Sequence, residues 1–352
     1  MYTFARLSEN RREIRIFLRR KVKLYVMKKN VVVICGGNSS EYEISLKSGM
    51  NIFAEIDGDR YNKYLMHLRG RSWTVVEGDR EYPVDKNDFS FIKNSYRIGF
   101  DYAYITIHGN PGENGMLQGY LDMMGLPYST SSLLVTASTF DKHFCNNYIR
   151  GFGYRVPDSV FLKEEGGGDE EEIVEKLGLP CFVKPNAEGS SFGISKVNRR
   201  EELRPAIEKA FGKGREVLIE EFIDGREFTC GIYRAGNKKT VFPLAEVVSF
   251  NEFFDYDAKY DPRQSDEIIP ARFTQEVTDN IKDRVSALYD LLGCSGIIRV
   301  DGILRGEEMV ILDINTTPGM TSNSFVPKMI RCMGMELKDV LNDIIGDKLG
   351  SR

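Results

Sequence analysis

Gly296-Ile-Ile-Arg-Val-Asp-Gly-Ile303 is followed, after the polar turn Arg305-Gly-Glu-Glu308, by Met309-Val-Ile-Leu-Asp-Ile-Asn315. Both runs have strand length and are rich in β-branched residues, which are typical of strands. A short polar turn between two such runs predicts an antiparallel β-hairpin. We place the chemistry of the chain here, because ionisable side chains interrupt both apolar runs.

Side chains alternate along a strand, so Arg299 and Asp301 share one face, and so do Ile311, Asp313 and Asn315. Pairing about the turn centre brings the two sets together as cross-strand neighbours. Two carboxylates and an amide then offer the oxygen ligands that Mg²⁺ prefers, and Mg²⁺ typically uses protein carboxylates together with substrate phosphates. The alternative interpretation is a surface hairpin with a salt bridge.

The composition is that of an ordinary globular protein: 352 residues, 41% hydrophobic and 28% charged, enough for two or three domains. No apolar run has the length that spans a bilayer, so we expect no membrane helix. The six cysteines form no Cys-x-x-Cys pair, which predicts neither a zinc cluster nor a disulfide framework and fits a reducing cytoplasm. A net charge of −4 gives no reason to expect nucleic-acid binding.

The charge is unevenly placed, since residues 1–26 hold eight Lys/Arg and two Glu, a formal +6 that leaves −10 for the remainder. This segment lacks the apolar core of a secretory signal. One interpretation is a basic arm for nucleic acid or membrane. The other, which we favour, is an upstream extension outside the fold, because Met27 directly precedes a strong first strand.

The first strand is the apolar run Val31–Cys35, as in a buried parallel strand, and it ends at Gly36-Gly37. A helix follows over 44–53, and Ser40 with Glu43 has the spacing of a capping box. The helix start favours anions, whereas the G-x-G-x-x-G spacing of a nicotinamide site is absent. Glu41 is either functional or simply complements the helix dipole.

A second strand covers 100–107, and the turn-rich loop 108–115 lies at its carboxyl end, before a helix over 116–124. Ligands of open α/β sheets bind outside the carboxyl ends of strands. His108 is therefore a candidate ligand contact, with a loop-holding structural histidine as the alternative.

The chain continues past a predicted boundary near 130 with a helix over 133–149 and an acidic helix over 169–177. Strands at 181–184 and 194–197 enclose a Gly/Ser loop whose backbone N–H groups could bind phosphate oxygens, with Lys184 just before it. A bare hairpin is the alternative for that loop.

Strand, turn and strand follow over 217–233, with an apolar slot rimmed by carboxylates that suits a purine and a ribose. Residues 249–273 are aromatic without strand or helix period, which predicts a lid. An amphipathic helix over 275–292 leads into the opening hairpin, and the end of the chain beyond 328 is predicted to be helical.

Together these segments resemble the D-alanine–D-alanine ligases of the ATP-grasp superfamily over about residues 27–347. The resemblance rests on six motifs in order: Gly36-Gly-Asn-Ser-Ser-Glu-Tyr-Glu-Ile-Ser-Leu46, His108-Gly-x-x-Gly-Glu-Asn-Gly115, Val183-Lys-Pro with Glu188-Gly-Ser-Ser-x-Gly193, Asp257-Ala-Lys-Tyr260, Arg299-x-Asp301, and Asn315-Thr-x-Pro-Gly-Met-Thr-Ser322.

The fold that this resemblance implies is an α/β, three-domain ATP-grasp architecture with an N-terminal open parallel-sheet domain. The expected parts are the basic extension (1–26), an N-terminal α/β substrate domain (27–130), a central ATP-grasp domain (131–216), and a C-terminal ATP-grasp domain (217–352) with the lid 249–273.

The resemblance also implies site residues. ATP contacts fall on Lys142, Lys184, Glu188, Ser190, Ser191, Glu220, Phe222, Ile223 and Glu227. Metal ligands fall on Asp301, Asp313 and Asn315. Substrate contacts fall on Glu41, His108, Lys259, Tyr260, Arg299, Ser324 and Phe325, with Glu41, Ser190, Tyr260, Arg299 and the Gly319 N–H as the catalytic set.

The implied activity is ATP-dependent joining of two D-alanine molecules through a D-alanyl phosphate, a step of peptidoglycan precursor synthesis in the cytoplasm. The implied cofactors are ATP with Mg²⁺ or Mn²⁺, and the implied assembly is a homodimer with no nucleic-acid or membrane partner. Asp313 departs from the family, which usually has Glu at this position, so the metal spacing differs by one methylene. Competing hypotheses are another ATP-grasp carboxylate–amine ligase, a nicotinamide oxidoreductase and a non-catalytic nucleotide-binding regulator.

Overall fold

The computed structural model describes residues 28–189, 193–249 and 265–350, leaving aside the side chains of residues 249 and 265. Several predictions from the sequence therefore lie outside the described residues: the basic extension 1–26, most of the lid segment, and the site candidates Ser190, Ser191, Lys259 and Tyr260. No helix in the described ranges is long and apolar enough to cross a membrane.

The N-terminal part is a seven-stranded sheet in the order β6-β5-β4-β3-β2-β1-β7. Its strands are β1 Lys29–Gly36, β2 Tyr61–Arg69, β3 Ser72–Glu77, β4 Arg80–Asp85, β5 Ser90–Lys93, β6 Tyr96–Gly99 and β7 Tyr102–Ile105. Only β2, β1 and β7 are parallel, and β3 to β6 extend this parallel part with antiparallel strands. The parallel part was predicted from the sequence, and the antiparallel extension was not.

The helices of this part are α1, Tyr42–Glu55, and α2, Met116–Met123. The predicted capping box of Ser40 and Glu43 is wrong, because the N-cap of α1 is Glu41 and its side chain makes no capping hydrogen bond. Ser39 acts instead: its Oγ accepts from Glu41 N at 3.2 Å and donates to the His108 carbonyl at 2.7 Å. The start of α1 is thus tied to the loop that follows β7.

The single helix predicted over 133–149 is two helices, α3 Leu133–Phe140 and α4 Lys142–Arg150. Asp141 between them is extended (φ −81°, ψ 101°), and its carboxylate caps α4 by accepting from Phe144 N at 2.9 Å. An aspartate in this conformation ends one helix and starts the next. The break makes Lys142 the first residue of α4.

The central part is a four-stranded sheet in the order β10-β9-β11-β8. Its elements are β8 Ser159–Leu162, α5 Glu170–Leu177, β9 Cys181–Pro185, β10 Ser195–Val197, a 3₁₀ turn Arg200–Glu202, α6 Leu203–Phe211 and β11 Val217–Glu221. The predicted pairing of the strands at 181–184 and 194–197 is confirmed. Strand β11 pairs with β8 and β9 and so belongs to the central sheet, whereas the predicted boundary after 216 placed it in the C-terminal domain.

The C-terminal sheet has the order β15-β14-β12-β16-β17, with β13 beside β12, in the described part of the chain. Its elements are β12 Arg226–Ala235, β13 Lys238–Val241, β14 Ala245–Ser249, β15 Ser265–Ile268, α7 Gln275–Leu291, β16 Ile297–Arg305, β17 Glu308–Asn315, α8 Phe325–Cys332 and α9 Leu337–Gly350. Residues 265–268, predicted as lid, form β15 and pair with β14.

The hairpin of β16 and β17 is confirmed, with Arg299 opposite Asn315 and Asp301 opposite Asp313. A β-bulge after Asp301 shifts the register, so Gly302 pairs with Ile311. Ile311 therefore joins the buried cluster that contains Val300, and its predicted place beside Asp313 and Asn315 is wrong. The extra residue reverses the alternation of side chains at this point.

The largest apolar clusters show how the sheets are joined. One cluster combines Val31 and Ile52 of the N-terminal part with Tyr233, Val326 and Ile344 of the C-terminal part. The other faces of the sheets have clusters of their own, and the central sheet packs α5 and α6 against one face.

Candidate functional site

Arg299 and Asp301, two residues apart on β16, form a forked ion pair at the centre of the candidate site. Arg299 Nε donates to Asp301 Oδ1 at 2.9 Å, and a terminal nitrogen donates to Oδ2 at 2.7 Å. Thr229 Oγ1 on the neighbouring strand β12 also donates to Asp301 Oδ1. The nearby carboxylates of Asp301, Asp313 and Glu113 raise the pKa of the Arg299 guanidinium, although its burial acts to lower it.

Asn315 joins the two acidic residues of the hairpin. Its Nδ2 donates to Asp301 Oδ2 at 3.3 Å and to Asp313 Oδ2 at 3.4 Å. The predicted convergence of two carboxylates, an amide and a guanidinium on one face of the hairpin is therefore present.

Lys142, at the start of α4, connects the hairpin to the loop after β9. Its Nζ donates to the Glu188 carbonyl at 2.8 Å and lies 4.0 Å from Asp313 Oδ1. A cleft forms where the three parts of the molecule meet, and its lining includes Lys142, Glu188, Gly189, Asp313, Asn315 and Glu113.

Glu41 and Glu113 bring two buried carboxylates to the rim of this cleft. A Cβ atom built on Gly189 would lie 2.3 Å from Glu41 Oε2 and 3.8 Å from Glu113 Oε2, so the loop backbone passes close to both acids and a side chain at this position would displace the Glu41 carboxylate. Burial, with the Glu41 charge, raises the pKa of Glu113 to about 8. Glu113 Oε2 accepts from Gly109 N at 2.6 Å.

Sequence reasoning gave Glu113 no role, although it lies in the quoted motif 108–115. The only signal was its position in a turn-rich loop at the carboxyl end of β7, and that signal does not separate it from its polar neighbours.

His108 is buried beside the same groups, and burial lowers its pKa although the nearby Glu41 charge acts to raise it. Its Nε2 is buried and has no hydrogen-bond partner within the described residues. A buried polar atom without a partner is costly, so a ligand group that bonds to it would relieve that cost.

Lys184 and Glu220 form a second, deeper ion pair on neighbouring strands of the central sheet. Lys184 Nζ lies 2.6 Å from Glu220 Oε2, and Asn146 Nδ2 donates to Glu220 Oε1 at 3.2 Å. Phe222 lies at 6.2 Å from Phe182 between ring centroids and has the Lys196 ammonium 5.3 Å from its ring.

Ile223 is buried just after β11, and Glu227 of β12 pairs with Ile303 of β16. Glu227 therefore shares a sheet face with Thr229, which bonds to Asp301. Apolar and aromatic side chains with carboxylates at their edge occur here as predicted.

The remaining candidates lie in the loop before α8. Thr321 N donates to Ser324 Oγ at 3.1 Å, and that oxygen lies 3.0 Å from the position of a Cβ atom on Gly319. Phe325 begins α8. Asn51 of α1 donates to the Met320 carbonyl at 2.7 Å, which ties this loop to the N-terminal part.

The structure thus groups the described candidates into three neighbouring sets. The first, around the cleft, contains Glu41, His108, Lys142, Glu188, Arg299, Asp301, Asp313 and Asn315. The second, on the central sheet and β12, contains Lys184, Glu220, Phe222, Ile223 and Glu227. The third, on the loop before α8, contains Gly319, Ser324 and Phe325.

The donor set of the hairpin fits a magnesium ion better than a zinc ion. Within the described ranges no group of three or more His, Cys, Asp or Glu side chains could hold a metal. Asp301, Asp313 and Asn315 offer two carboxylates and one amide oxygen, and Mg²⁺ usually binds through one or two carboxylates plus phosphate oxygens. The Lys142 ammonium lies 4.0 Å from Asp313 Oδ1, so a cation stands beside these carboxylates.

Two family models match the chain. The model described as D-ala D-ala ligase N-terminus matches residues 30–131, and the one described as D-ala D-ala ligase C-terminus matches residues 149–346. Together they include the described residues of the cleft except Thr139, Phe140 and Lys142, which lie between the two matched ranges.

Named relatives cover nearly the whole chain. A D-alanine–D-alanine ligase of Bacteroides fragilis is 52% identical over 324 residues, which are 92% of this chain and 100% of the relative. One of Parabacteroides distasonis is 52% identical over 328 residues, 93% of this chain and 99% of the relative.

Solved structures agree. The VanG D-Ala:D-Ser ligase of Enterococcus faecalis has a TM-score of 0.80 at 32% identity, covering 91% of this chain and 99% of its own. The D-alanine–D-alanine ligase of Bacillus anthracis complexed with ATP has a TM-score of 0.73 at 28% identity, covering 92% and 98%. The predicted three-domain ATP-grasp fold is confirmed, and the chain belongs to the D-alanine–D-alanine ligase family.

Proposed function

We propose that this protein joins two D-alanine molecules in an ATP-dependent reaction that yields D-alanyl-D-alanine, ADP and phosphate for peptidoglycan precursors. The observation that carries the proposal is the convergence of Asp301, Asp313 and Asn315 with Arg299 beside Lys142 at one cleft. This group suits phosphoryl transfer to a carboxylate, and two relatives at 52% identity carry the same named activity.

A free carboxylate is a poor electrophile, so ATP first phosphorylates the carboxylate of the first D-alanine. The acyl phosphate then undergoes attack by the amine of the second D-alanine, and inorganic phosphate leaves. Phosphoryl transfer depends on positioning and charge stabilisation. We assign Lys142 and Lys184 to the ATP phosphates, and Glu220, Phe222, Ile223 and Glu227 to the adenine and ribose.

Mg²⁺, or Mn²⁺ in its place, would be held by Asp301, Asp313 and Asn315, and would neutralise phosphate charge. The shorter side chain of Asp313 still presents an oxygen toward this position, and it lies within 4.0 Å of Lys142 Nζ. Carboxylate and amide oxygens are ligands that Mg²⁺ accepts.

The amino-acid side of the site lies at the rim of the cleft. Glu41 suits the ammonium of the first D-alanine, and the unpartnered Nε2 of His108 suits its carboxylate. Ser324 and Phe325 are assigned to the second D-alanine, with Lys259 and Tyr260 as further contacts. Ser190 and Tyr260 are assigned to a hydrogen-bonded set with Glu41, and Ser191 to the ATP phosphates.

Arg299 and the Gly319 N–H are assigned to the oxyanion of the tetrahedral intermediate. Preorganised donors aimed at a developing negative charge are the largest catalytic term in many enzymes. A cleft closed to water would also protect the acyl phosphate from hydrolysis.

One assay tests the reaction. The full chain is given ATP and Mg²⁺ with D-alanine, L-alanine, or D-alanine plus D-lactate, and ADP release is measured with identification of the product. We expect D-alanine-dependent ADP release with D-alanyl-D-alanine as the product. ADP release at the same rate with and without D-alanine would contradict the ligase assignment. ADP release that depends on a different amine would favour another carboxylate–amine ligase.

A second acceptor has a specific observation in its favour, because a D-Ala:D-Ser ligase is among the similar structures at 32% identity. The relatives at 52% identity favour D-alanine. A competition assay with D-alanine and D-serine, read out by mass spectrometry of the products, decides between the two acceptors.

We also propose a homodimer that acts in the cytoplasm. Met116 and Met123 on α2 are 64% and 77% exposed, and Leu134 on α3 is 70% exposed. Leu133 places α3 directly against α2, since a Cβ atom on Gly119 would lie 2.6 Å from its Cδ1. Six free cysteines, of which five are buried, suit a reducing compartment.

Sedimentation of the wild type and of the double variant Met123→Lys, Leu134→Lys tests the assembly. A dimer that the double variant converts to a monomer supports this surface, and a monomeric wild type overturns the homodimer.

A further inference from the structure

Asp301 accepts four hydrogen bonds from side chains of this chain. Oδ1 accepts from Arg299 Nε and from Thr229 Oγ1, and Oδ2 accepts from an Arg299 terminal nitrogen and from Asn315 Nδ2. An ionised carboxylate has about four lone-pair sites in all. Each of those sites therefore faces a protein donor, and another partner must displace one of them.

Oδ2 is the Asp301 oxygen that shares a hydrogen-bond donor with Asp313. Asn315 Nδ2 bonds to this atom and also to Asp313 Oδ2, so these two carboxylate oxygens face each other across the Asn315 amide. Asp301, Asp313 and Asn315 would hold an ion shared by both aspartates. On Asp301 such an ion would compete with the Asn315 amide and with the Arg299 terminal nitrogen, which donates to Oδ2 at 2.7 Å.

Of these two donors, Arg299 opposes the ion more strongly. The Asn315 amide can turn to present its oxygen as a ligand, but a guanidinium has no acceptor and carries a full positive charge. The Arg299 and Asp301 side chains are only 16% and 21% exposed, so solvent screens their charges weakly.

We propose that Arg299 competes with the divalent metal for Asp301, so that metal loading releases the Arg299 terminal nitrogen toward the reacting carbonyl. The inference rests on the proposed function, since it assigns both the metal and the oxyanion role to the same hairpin. It adds an order of events: the oxyanion donor becomes available only once the metal has taken Asp301 Oδ2.

This competition predicts an effect opposite to that of a merely orienting ion pair. If Arg299 only holds Asp301 in place for the metal, removing it weakens metal binding. If Arg299 competes for Oδ2, removing it strengthens metal binding even though turnover is lost.

The experiment titrates Mn²⁺ into the full chain and follows free Mn²⁺ by electron paramagnetic resonance, first without nucleotide and then with saturating ADP. No amino acid is added, so the result does not depend on catalysis. We expect Arg299→Ala to lower the Mn²⁺ dissociation constant about threefold or more, because a nearby positive charge has been removed. Arg299→Lys keeps the positive charge but loses the paired hydrogen bonds of the guanidinium. Its Mn²⁺ dissociation constant should therefore lie between those of Arg299→Ala and the wild type.

Arg305→Ala is the matched control. Arg305 lies on the same hairpin and pairs with Glu308 at the surface, so its loss should leave the Mn²⁺ constant unchanged. Circular dichroism of each variant checks folding, and Arg299→Lys serves if Arg299→Ala does not fold.

The competition is overturned if the Mn²⁺ dissociation constant of the Arg299 variants is unchanged or raised. It is also overturned if neither the wild type nor any variant binds Mn²⁺. The proposed function fails separately, through the absence of D-alanine-dependent ADP release by the wild type.

Discussion

Glu113 is a buried carboxyl group whose pKa of about 8 lies above its ordinary value of 4.5, because of burial and the nearby Glu41 charge. The folded protein therefore holds this proton more tightly than the unfolded chain. Its contribution to the free energy of unfolding is complete below about pH 4.5 and is lost as the pH rises through about 8.

We expect Glu113→Gln to remove this loss, because glutamine keeps the acceptor for Gly109 N–H and cannot ionise. Between pH 5 and pH 9 the free energy of unfolding should fall more in the wild type than in the variant, as measured by urea unfolding. Glu43→Gln, at an exposed position of α1, should follow the wild type. Parallel pH profiles for Glu113→Gln and the wild type would contradict the raised pKa.

Arg299→Ala should fold and lose turnover by about 10²–10³, the usual cost of one oxyanion donor. D-alanine-dependent ADP release at saturating ATP measures it. Arg305→Ala should keep wild-type turnover, because its ion pair with Glu308 lies at the exposed end of the hairpin. Wild-type turnover in Arg299→Ala would remove Arg299 from the oxyanion site.

Strand alternation alone predicted the meeting of Arg299, Asp301, Asp313 and Asn315, since each pair lies two residues apart on one strand. It failed for Ile311, because a bulge adds one residue to β17, and Gly302 within β16 is a signal that does not separate a bulge from a close approach of two chains. Glu113 was missed for a different reason: its environment comes from Glu41 and the loop at Gly189, which are distant in sequence.

At the scale of elements, the bulge depends on Gly302. A Cβ atom there would lie 2.7 Å from the Val310 carbonyl oxygen and 2.6 Å from Phe228 Cζ. Gly302→Ala should therefore displace β16 against β17 and lower the free energy of unfolding by about 1–3 kcal/mol, the usual cost of overpacking. It should also weaken Mn²⁺ binding, because Asp301 precedes it.

Gly346→Ala in α9 is the matched control for thermal unfolding. A Cβ atom at Gly346 meets nothing within 4 Å, so alanine should stabilise this helix by about 0.5–1 kcal/mol. If Gly302→Ala is as stable as the wild type, the close approach at the bulge does not hold.

Glu246 on β14 connects three segments of the C-terminal sheet. Its Oε1 accepts from Arg226 of β12 at 2.8 Å, and its Oε2 accepts from Arg272 Nε, beyond β15, at 2.9 Å. The bond from Arg272, together with that from Arg226, lowers the pKa of Glu246 to about 2. Its stabilisation is therefore present above pH 4.5 and is lost as the pH falls toward 2.

Glu246→Gln removes the charge that both arginines bond to, so it should lower the free energy of unfolding by about 1–3 kcal/mol at pH 7. The loss is no larger because both arginines are partly exposed and solvent screens their charges. The difference from the wild type should shrink as the pH falls from 5 to 2, followed by urea unfolding. The exposed Glu307→Gln should show no such trend. A difference that stays constant down to pH 2 would show that packing, not charge, is what Glu246 supplies.

Element positions were predictable where one local signal dominated, as at the apolar run of β1 and the amphipathic α7. They were not where a single side chain decides the local structure. Asp141 interrupts a continuous helical pattern by capping α4, and Ser39 replaces the predicted cap at Ser40 by bonding to His108 across the fold. Both depend on hydrogen bonds that hydrophobic periodicity does not report.

At the scale of the molecule, the first and last sheets share one apolar cluster, whereas the central sheet has its own. Helix α9 lies at this junction: Lys338 pairs with Asp57 at 3.2 Å, and Asp343 accepts from Tyr233 at 3.3 Å. The cleft is lined by residues of all three parts, so its geometry depends on this junction remaining closed.

Trp73, the single tryptophan of the chain, lies in the N-terminal sheet beside Phe89 and Tyr120, so its fluorescence reports unfolding of that part. Ile344→Ala removes a buried side chain of α9 from the shared cluster and should cost about 2–5 kcal/mol. Because Val31 and Ile52 belong to the same cluster, the urea midpoint detected at Trp73 should fall.

Ile207→Ala deletes an equally buried isoleucine from the separate cluster of the central sheet, so it should move the Trp73 midpoint much less. A Trp73 midpoint that responds to Ile207→Ala and not to Ile344→Ala would mean that the shared cluster does not couple the two outer sheets.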